Sequence, residues 1–183
     1  MKLYGHPYSN AARRVQMLCE ECGIPYTYQL VDLMKGEQYT PEYLALNPNA
    51  KVPVIDDDGF VLWESQAIMR YLCDKHKAQA WYPAEPKARA HVEGWLDWNQ
   101  TRLGPEAGKI MFNTFFAGDK GNPQAIEDGK QWLAKILPVM DGALSKRKFL
   151  CGDQPTLADL AAATNIAYLE TCKVDLSPYP AVT

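Results

Sequence analysis

The pattern that most restricts the fold is a change of periodicity near residue 80. Residues 1 to about 77 alternate strand-like and helix-like segments, whereas from Lys87 onward the chain reads as helices only. A mixed half followed by an all-helical half predicts two domains. We place them at residues 1–77 and 87–183, joined by a linker at 78–86 that reads Ala-Gln-Ala-Trp-Tyr-Pro-Ala-Glu-Pro. In the first half, Lys2 to Tyr4 is a short strand. Ala11 to Cys22 is a helix with a buried stripe of Ala11, Val15, Leu18 and Cys22, ended by Gly23 and Pro25. Thr27 to Val31 is a strand, and Thr40 to Leu46 a short helix closed by Asn47-Pro48. Val54-Ile55 and Phe60 to Trp63 flank Asp56-Asp57-Asp58-Gly59, a hairpin turn signal. Ser65 can cap a helix to about His76, with Ile68, Tyr71, Leu72 and Lys75 on one face. The predicted fold class is an α/β domain of order β-α-β-α-β-β-α followed by an all-α domain. The helices of the second half run from about Lys87 to Phe116 with a bend near Gly104-Pro105, from Pro123 to Ser145, and from Thr156. There Thr156-Leu157-Ala158-Asp159 forms a capping-box variant.

Composition narrows the class. The chain has 183 residues, nearly half of them hydrophobic, and a net charge of −3. That supports a substantial core and argues against a general nucleic-acid binder. No apolar run is long enough for a transmembrane helix, and Met1-Lys2-Leu3-Tyr4 reads as a strand rather than a signal peptide. Five cysteines at irregular spacing, positions 19, 22, 73, 151 and 172, suit reduced thiols in the cytosol better than a disulfide framework. We therefore expect a cytoplasmic protein. His6, His76 and His91 have no metal-ligand spacing, so no metal or other cofactor is expected.

One segment carries chemistry. Val52-Pro53 opens a short apolar strand, and Glu64-Ser65 follows eleven residues after Pro53. Proline cannot donate to a strand ladder, and X–Pro bonds lose most of the trans preference. A cis bend would turn the Val52 carbonyl and N–H outward to pair with an extended peptide. Glu64 and Ser65 would start the next helix, where N–H groups attract anions. Together these form a socket for a small, charged peptide. Ser9 lies between the first strand and the first helix, either as a plain cap or as a hydroxyl donor to a ligand. Cys19-Glu20-Glu21-Cys22 has redox spacing but lies at the wrong end of its helix to stabilise a thiolate.

These residues, in this order, resemble the cytosolic glutathione S-transferases over nearly the whole chain. The resemblance rests on Ser9-Asn10-Ala11-Ala12-Arg13-Arg14-Val15, Asn47-Pro48 with Lys51-Val52-Pro53, and Glu64-Ser65 with Ile68 and Tyr71-Leu72. Phe149-Leu150-Cys151-Gly152-Asp153 leading into Thr156-Leu157-Ala158-Asp159 completes it. The Ser-first pattern is similar to the theta and phi classes and their bacterial relatives. The resemblance implies a thioredoxin-like N-terminal domain that binds glutathione, a hydrophobic electrophile as second substrate, and a homodimer. It implies catalytic roles for Ser9, Asn10 and Arg13. Ser9 would donate to the glutathione sulfur, and Arg13, one helical turn on, would raise the positive potential there; Arg14 is expected to be solvated. Gln38 and Lys51 match positions that reach the glycine carboxylate. Val52 would pair with the cysteinyl backbone, Pro53 would shape the socket, and Glu64 with Ser65 would hold the γ-glutamyl end.

Two departures widen the reading. Ser9 is followed by Asn10, as in some members that reduce disulfides. A glutathione-dependent disulfide reductase or peroxidase is therefore an alternative, as is a non-enzymatic binding or assembly module of the same fold. Family members also usually continue past a segment such as Tyr179 to Thr183 into another helix, so the second-substrate pocket is expected to be incomplete or differently built. In the helical half, Ile110, Met111, Phe112, Phe115 and Phe116 exceed one helix face. They are core, dimer contact or electrophile lining.

Overall fold

A computed structural model describes all of residues 1–183. The chain divides into two compact units, Met1–Tyr82 and Pro83–Thr183. The first contains β1 (Lys2–Gly5), α1 (Asn10–Glu21), β2 (Thr27–Leu30), α2 (Pro41–Leu46), β3 (Val54–Asp57), β4 (Phe60–Trp63) and α3 (Ser65–Lys75). The four strands form one mixed sheet in the order β2-β1-β3-β4. β1 and β2 are parallel, with Gly5 opposite Leu30. β3 runs antiparallel to β1, with Val54 opposite Tyr4, and β4 returns antiparallel, with Trp63 opposite Val54. This is the thioredoxin-like arrangement, with α1 and α3 packed on each other.

Burial corrects three readings of the helix faces. The inner face of α1 is Ala12, Val15, Leu18 and Cys19, while Ala11 and Cys22 are only half-buried. The expected stripe is displaced by one residue at one end and by three at the other. Arg14, expected in solvent, is 3% exposed and is engaged within the chain. On α3 the buried residues are Ser65, Gln66, Ile68, Met69, Leu72 and Cys73. Tyr71 and Lys75 leave that face because both turn to Asp57 of β3, whose Oδ2 accepts from the Tyr71 hydroxyl at 2.6 Å and from Lys75 Nζ.

The second unit contains α4 (Pro86–Trp98), α5 (Gly104–Met111), α6 (Pro123–Leu144) and α7 (Leu157–Thr171). A wide π-helical stretch, Asn99–Leu103, lies between α4 and α5, next to the place where the bend near Gly104-Pro105 is expected. Pro105 has no N–H to return to the carbonyl four residues earlier, and the widened turn accommodates that missing bond. Gly104 lets the backbone pass close here, since a Cβ there would sit 3.0 Å from the Asn99 carbonyl oxygen. A second π-helical stretch, Phe112–Phe116, follows α5. Ile110 and Met111 enter the core, but Phe112, Phe115 and Phe116 remain 57%, 55% and 38% exposed, which removes the core reading for these three. Asp159 secures the start of α7. Its Oδ2 accepts the Thr156 N–H at 2.8 Å, and its Oδ1 accepts the Leu150 N–H at 2.8 Å. No helix is long and apolar enough to cross a membrane.

Candidate active site

The strand directions bring the singled-out residues of the first unit to one end of its sheet. β1 ends at Gly5 and leads through a short turn to Ser9. β2 ends beside it at Leu30 and leads to the loop that carries Gln38. β3 begins there, just after Val52-Pro53, and β4 ends there, just before Glu64-Ser65.

Ser9 is the N-cap of α1. Its Oγ accepts the Ala12 N–H at 3.2 Å. The hydroxyl proton is left to donate, beside the positive end of a helix of 12 residues. Asn10 is the first residue of that helix. Arg13 lies one turn on, its side chain exposed along a shallow hollow shared with Gln16, Met17, Glu20 and Glu21.

The Val52-Pro53 peptide bond is cis. The Val52 side chain packs against the buried cluster of Val31, Tyr43 and Val54, while its backbone N–H and C=O bond to nothing else in the chain. Two residues prepare this segment: Tyr43, which sequence reasoning missed, and Asn47, which it named only as the close of a helix and as part of the family pattern. The Tyr43 hydroxyl donates to the Lys51 carbonyl at 2.7 Å, and Asn47 Nδ2 donates to the same oxygen at 2.8 Å. The Lys51 side chain is left exposed. Asn47 is 2% exposed, and its place directly before a proline was the signal the sequence offered. Its partner, four residues away in a loop, was not legible there.

Glu64, not Ser65, is the N-cap of α3, which corrects the predicted cap. Glu64 adopts φ 72°, ψ 110° and makes no side-chain cap bond. Positive φ is unfavourable for a residue with a Cβ and gathers at ligand-binding positions. Without a side-chain cap, the first-turn N–H groups of α3 present a positive end at this edge of the sheet. Ser65 is 6% exposed at the first helical position. Gln38 lies in a short 3-10 turn, Glu37–Tyr39, and is 9% exposed. Its Oε1 is buried with no partner, a costly state that a ligand donor would relieve.

The chain's own thiols do not supply a nucleophile. Burial pushes the Cys19 and Cys73 thiols up to about 12, and burial also raises Cys22, Cys151 and Cys172. The dithiol reading of Cys19 and Cys22 therefore has no thiolate to work with near neutral pH.

A thioredoxin-like unit whose first helix is capped by Ser9, followed by a helical unit, defines the class of the protein. Comparison with known proteins specifies which. Residues 8–75 match the glutathione S-transferase N-terminal domain, and residues 103–183 match the glutathione S-transferase C-terminal domain. Glutathione S-transferase F10 of Arabidopsis thaliana is 37% identical over 174 residues, which cover 92% of this chain and 80% of that protein. Glutathione S-transferase D7 of Drosophila melanogaster is 30% identical over 184 residues, covering 100% and 80%. The solved structure of a delta-class glutathione transferase from Nilaparvata lugens has a TM-score of 0.90 at 38% identity, covering 99% of this chain and 84% of its own. The chain belongs to the glutathione S-transferase family, on its phi, theta and delta side, and its activity is glutathione transfer. Similar proteins come from plants, insects, a mammal and a bacterium, so the likeness does not single out a bacterial source.

Proposed function

We propose that the chain binds glutathione across the end of its N-terminal sheet, ionises the thiol beside Ser9, and transfers it to a hydrophobic electrophile. The observation that carries this reading is the convergence of four segments at that end: the Ser9 turn, the Gln38 loop, Val52-Pro53 and Glu64-Ser65. The unpaired N–H and C=O of Val52 pair with the cysteinyl backbone, as one strand edge with another. Pro53 keeps that edge open, because it has no N–H to compete. The Ser65 N–H and hydroxyl hold the γ-glutamyl carboxylate, and Glu64 holds its ammonium. Gln38 and Lys51 reach the glycine carboxylate, Lys51 as a charge and Gln38 as an amide.

The cysteinyl sulfur then lies at the start of α1. A free thiol, with a pKa of ~8.5, is only a few per cent ionised at pH 7. The Ser9 hydroxyl, its oxygen already capping Ala12, donates a hydrogen bond to the sulfur and favours the thiolate, whose proton is released to solvent. The helix end at Asn10 and the guanidinium of Arg13 add positive potential. The thiolate forms the sulfur–carbon bond, and the displaced group leaves with its electron pair. Holding both reactants together supplies the rest of the acceleration. The exposed Phe112, Phe115 and Phe116 are apolar surface suited to the second substrate. The exposed edge strand β4, with Phe60 49%, Val61 37% and Trp63 39% exposed, supports a homodimer, because an open apolar edge calls for cover. Sedimentation should give twice the chain mass. A chain that stays monomeric at micromolar concentration refutes that part.

The deciding experiment is calorimetric titration with glutathione beside turnover of a chlorinated aromatic, for the natural chain and Ser9→Ala. Binding by both, with turnover largely lost in the variant, is expected. Full turnover by Ser9→Ala would remove Ser9 from the mechanism, and no glutathione binding by a folded natural chain would remove the site.

A further inference from the structure

The turn that delivers Ser9 is built around an imidazole. His6 directly follows β1 and is 7% exposed. Its Nδ1 lies 3.2 Å from the Tyr8 backbone nitrogen. A backbone N–H can only donate, so Nδ1 accepts, and the neutral ring carries its proton on Nε2. The His6 carbonyl in turn accepts the Ser9 N–H at 2.9 Å. One residue thus holds both positions after Pro7, Tyr8 through its ring and Ser9 through its main chain, on the side of the turn opposite the helix, where the Ser9 carbonyl accepts the Arg13 N–H at 2.9 Å. Burial does not provide that anchorage, since Tyr8 is 62% exposed and Ser9 only half-buried. The Tyr8 ring instead rests against the imidazole, with centroids 5.2 Å apart and planes tilted by 59°. On the other side the turn has no slack. A Cβ at Gly5 would meet Tyr28 Oη at 2.9 Å and Ala12 Cβ at 3.0 Å, and Ala12 is the residue whose N–H the Ser9 hydroxyl caps.

We propose that His6 is a positioning residue for the transfer reaction: its neutral imidazole, by accepting the Tyr8 N–H, holds the turn in which the Ser9 hydroxyl stays aimed at the bound sulfur. This rests on the reading of Ser9 as the donor to that sulfur. Hydrogen bonds weaken steeply with misalignment, and small displacements of a group at the reacting centre are expensive in rate. An acceptor at the Nδ1 position therefore matters to turnover although it touches no substrate.

The test compares His6→Phe, which keeps the bulk and loses the acceptor, with His6→Asn, whose Oδ1 can stand where Nδ1 stood. His6→Phe should lower kcat about tenfold, leave KM for glutathione within about twofold, and make the bound thiol about tenfold less acidic by ultraviolet titration. His6→Asn should recover most of both, a rescue that general loosening of the fold would not produce. If His6→Phe does not fold, His6→Gln takes its place, with its carbonyl at the Nε2 position, and the same losses are expected. Combined with Ser9→Ala, the His6 loss should largely disappear, because both act through one hydroxyl. A folded His6→Phe with natural kcat and natural thiol acidity would overturn the proposal while Ser9→Ala is still impaired, which leaves the Ser9 reading standing. Equal losses in His6→Asn and His6→Phe, or fully additive losses with Ser9→Ala, would also overturn it. Full activity in Ser9→Ala would bring down the Ser9 reading and the positioning role together.

Discussion

Ser9 is a cap and, in the proposed mechanism, a donor to the bound sulfur, and the two tasks can be separated. As a cap it satisfies the Ala12 N–H, so Ser9→Ala should cost about 1 kcal/mol of stability, too little to unfold a domain of this size. As a donor it should matter far more. If the bound sulfur returns from a pKa about two units below the free thiol to the free value, its thiolate fraction at pH 7 falls by roughly 25-fold. Turnover should fall by a similar factor with glutathione affinity nearly unchanged; a loss in kcat matched by an equal loss of affinity would contradict the donor role. Glu64 makes the complementary case. Its φ of 72° costs of order 1–3 kcal/mol for a residue with a Cβ. Glu64→Gly relieves that cost and loses roughly 1 kcal/mol through a freer unfolded chain. The variant should therefore be at least as stable as the natural chain in urea, yet bind glutathione more weakly. A clear drop in its urea midpoint would show that the conformation is not strained. Ser9 and Glu64 were both visible in the sequence as helix-start residues. The assignment of the α3 cap to Ser65 was wrong because a serine normally takes that place, and no sequence pattern marks a glutamate held at positive φ.

Among the elements, the hairpin of β3 and β4 is tied to α3 by one carboxylate. Asp57 is 7% exposed, and hydrogen bonds from Lys75 and Tyr71 hold its carboxyl below the usual carboxylate range. Its folded pKa is thus lower than the unfolded value of about 3.9. The stabilisation is fully present above about pH 3.9 and fades as the pH falls through the depressed folded value. Urea midpoints of the natural chain should decline over that acid range more steeply than those of Asp57→Asn, and the two curves should converge at the acid end. Parallel curves would show that the tie carries no proton linkage. This link was illegible in the sequence, where Asp57 read only as part of an acidic turn and Tyr71 with Lys75 as part of a buried face. The hairpin itself was legible, because Asp-Gly between two apolar runs is a strong local signal. The helix from Lys87 to Phe116 divides in the same way. Its length followed from local preference, but the π-helical stretch Asn99–Leu103 goes with the hydrogen bond that Pro105 fails to make and with how closely Gly104 meets the Asn99 carbonyl.

At the scale of the molecule, the order of strands and helices and the change to an all-helical half were open in the sequence, because both are matters of periodicity. The convergence of Ser9, Gln38, Val52 and Glu64 was legible through the family resemblance and not through periodicity, because it follows from strand direction. The whole-chain charge bears on what that convergence must achieve. The chain carries a net charge of −3, and glutathione with an ionised thiol is itself an anion. The net charge therefore gives no help to thiolate formation, which the proposed mechanism assigns to groups at the site: the Ser9 hydroxyl, the ends of α1 and α3, and Arg13. If they drive it, binding must release a proton. With a bound thiol near a pKa of ~6.5 and a free one near ~8.5, about 0.7 proton should leave per glutathione bound at pH 7. The heat of binding should then change in proportion to the ionisation enthalpy of the buffer. In Ser9→Ala that dependence should shrink toward zero. Added salt screens the distant charges of the chain more than the contacts at the site, so the release should persist at high ionic strength. A binding heat that is the same in every buffer would mean that the sulfur is bound as the thiol and that the chain activates it in some other way.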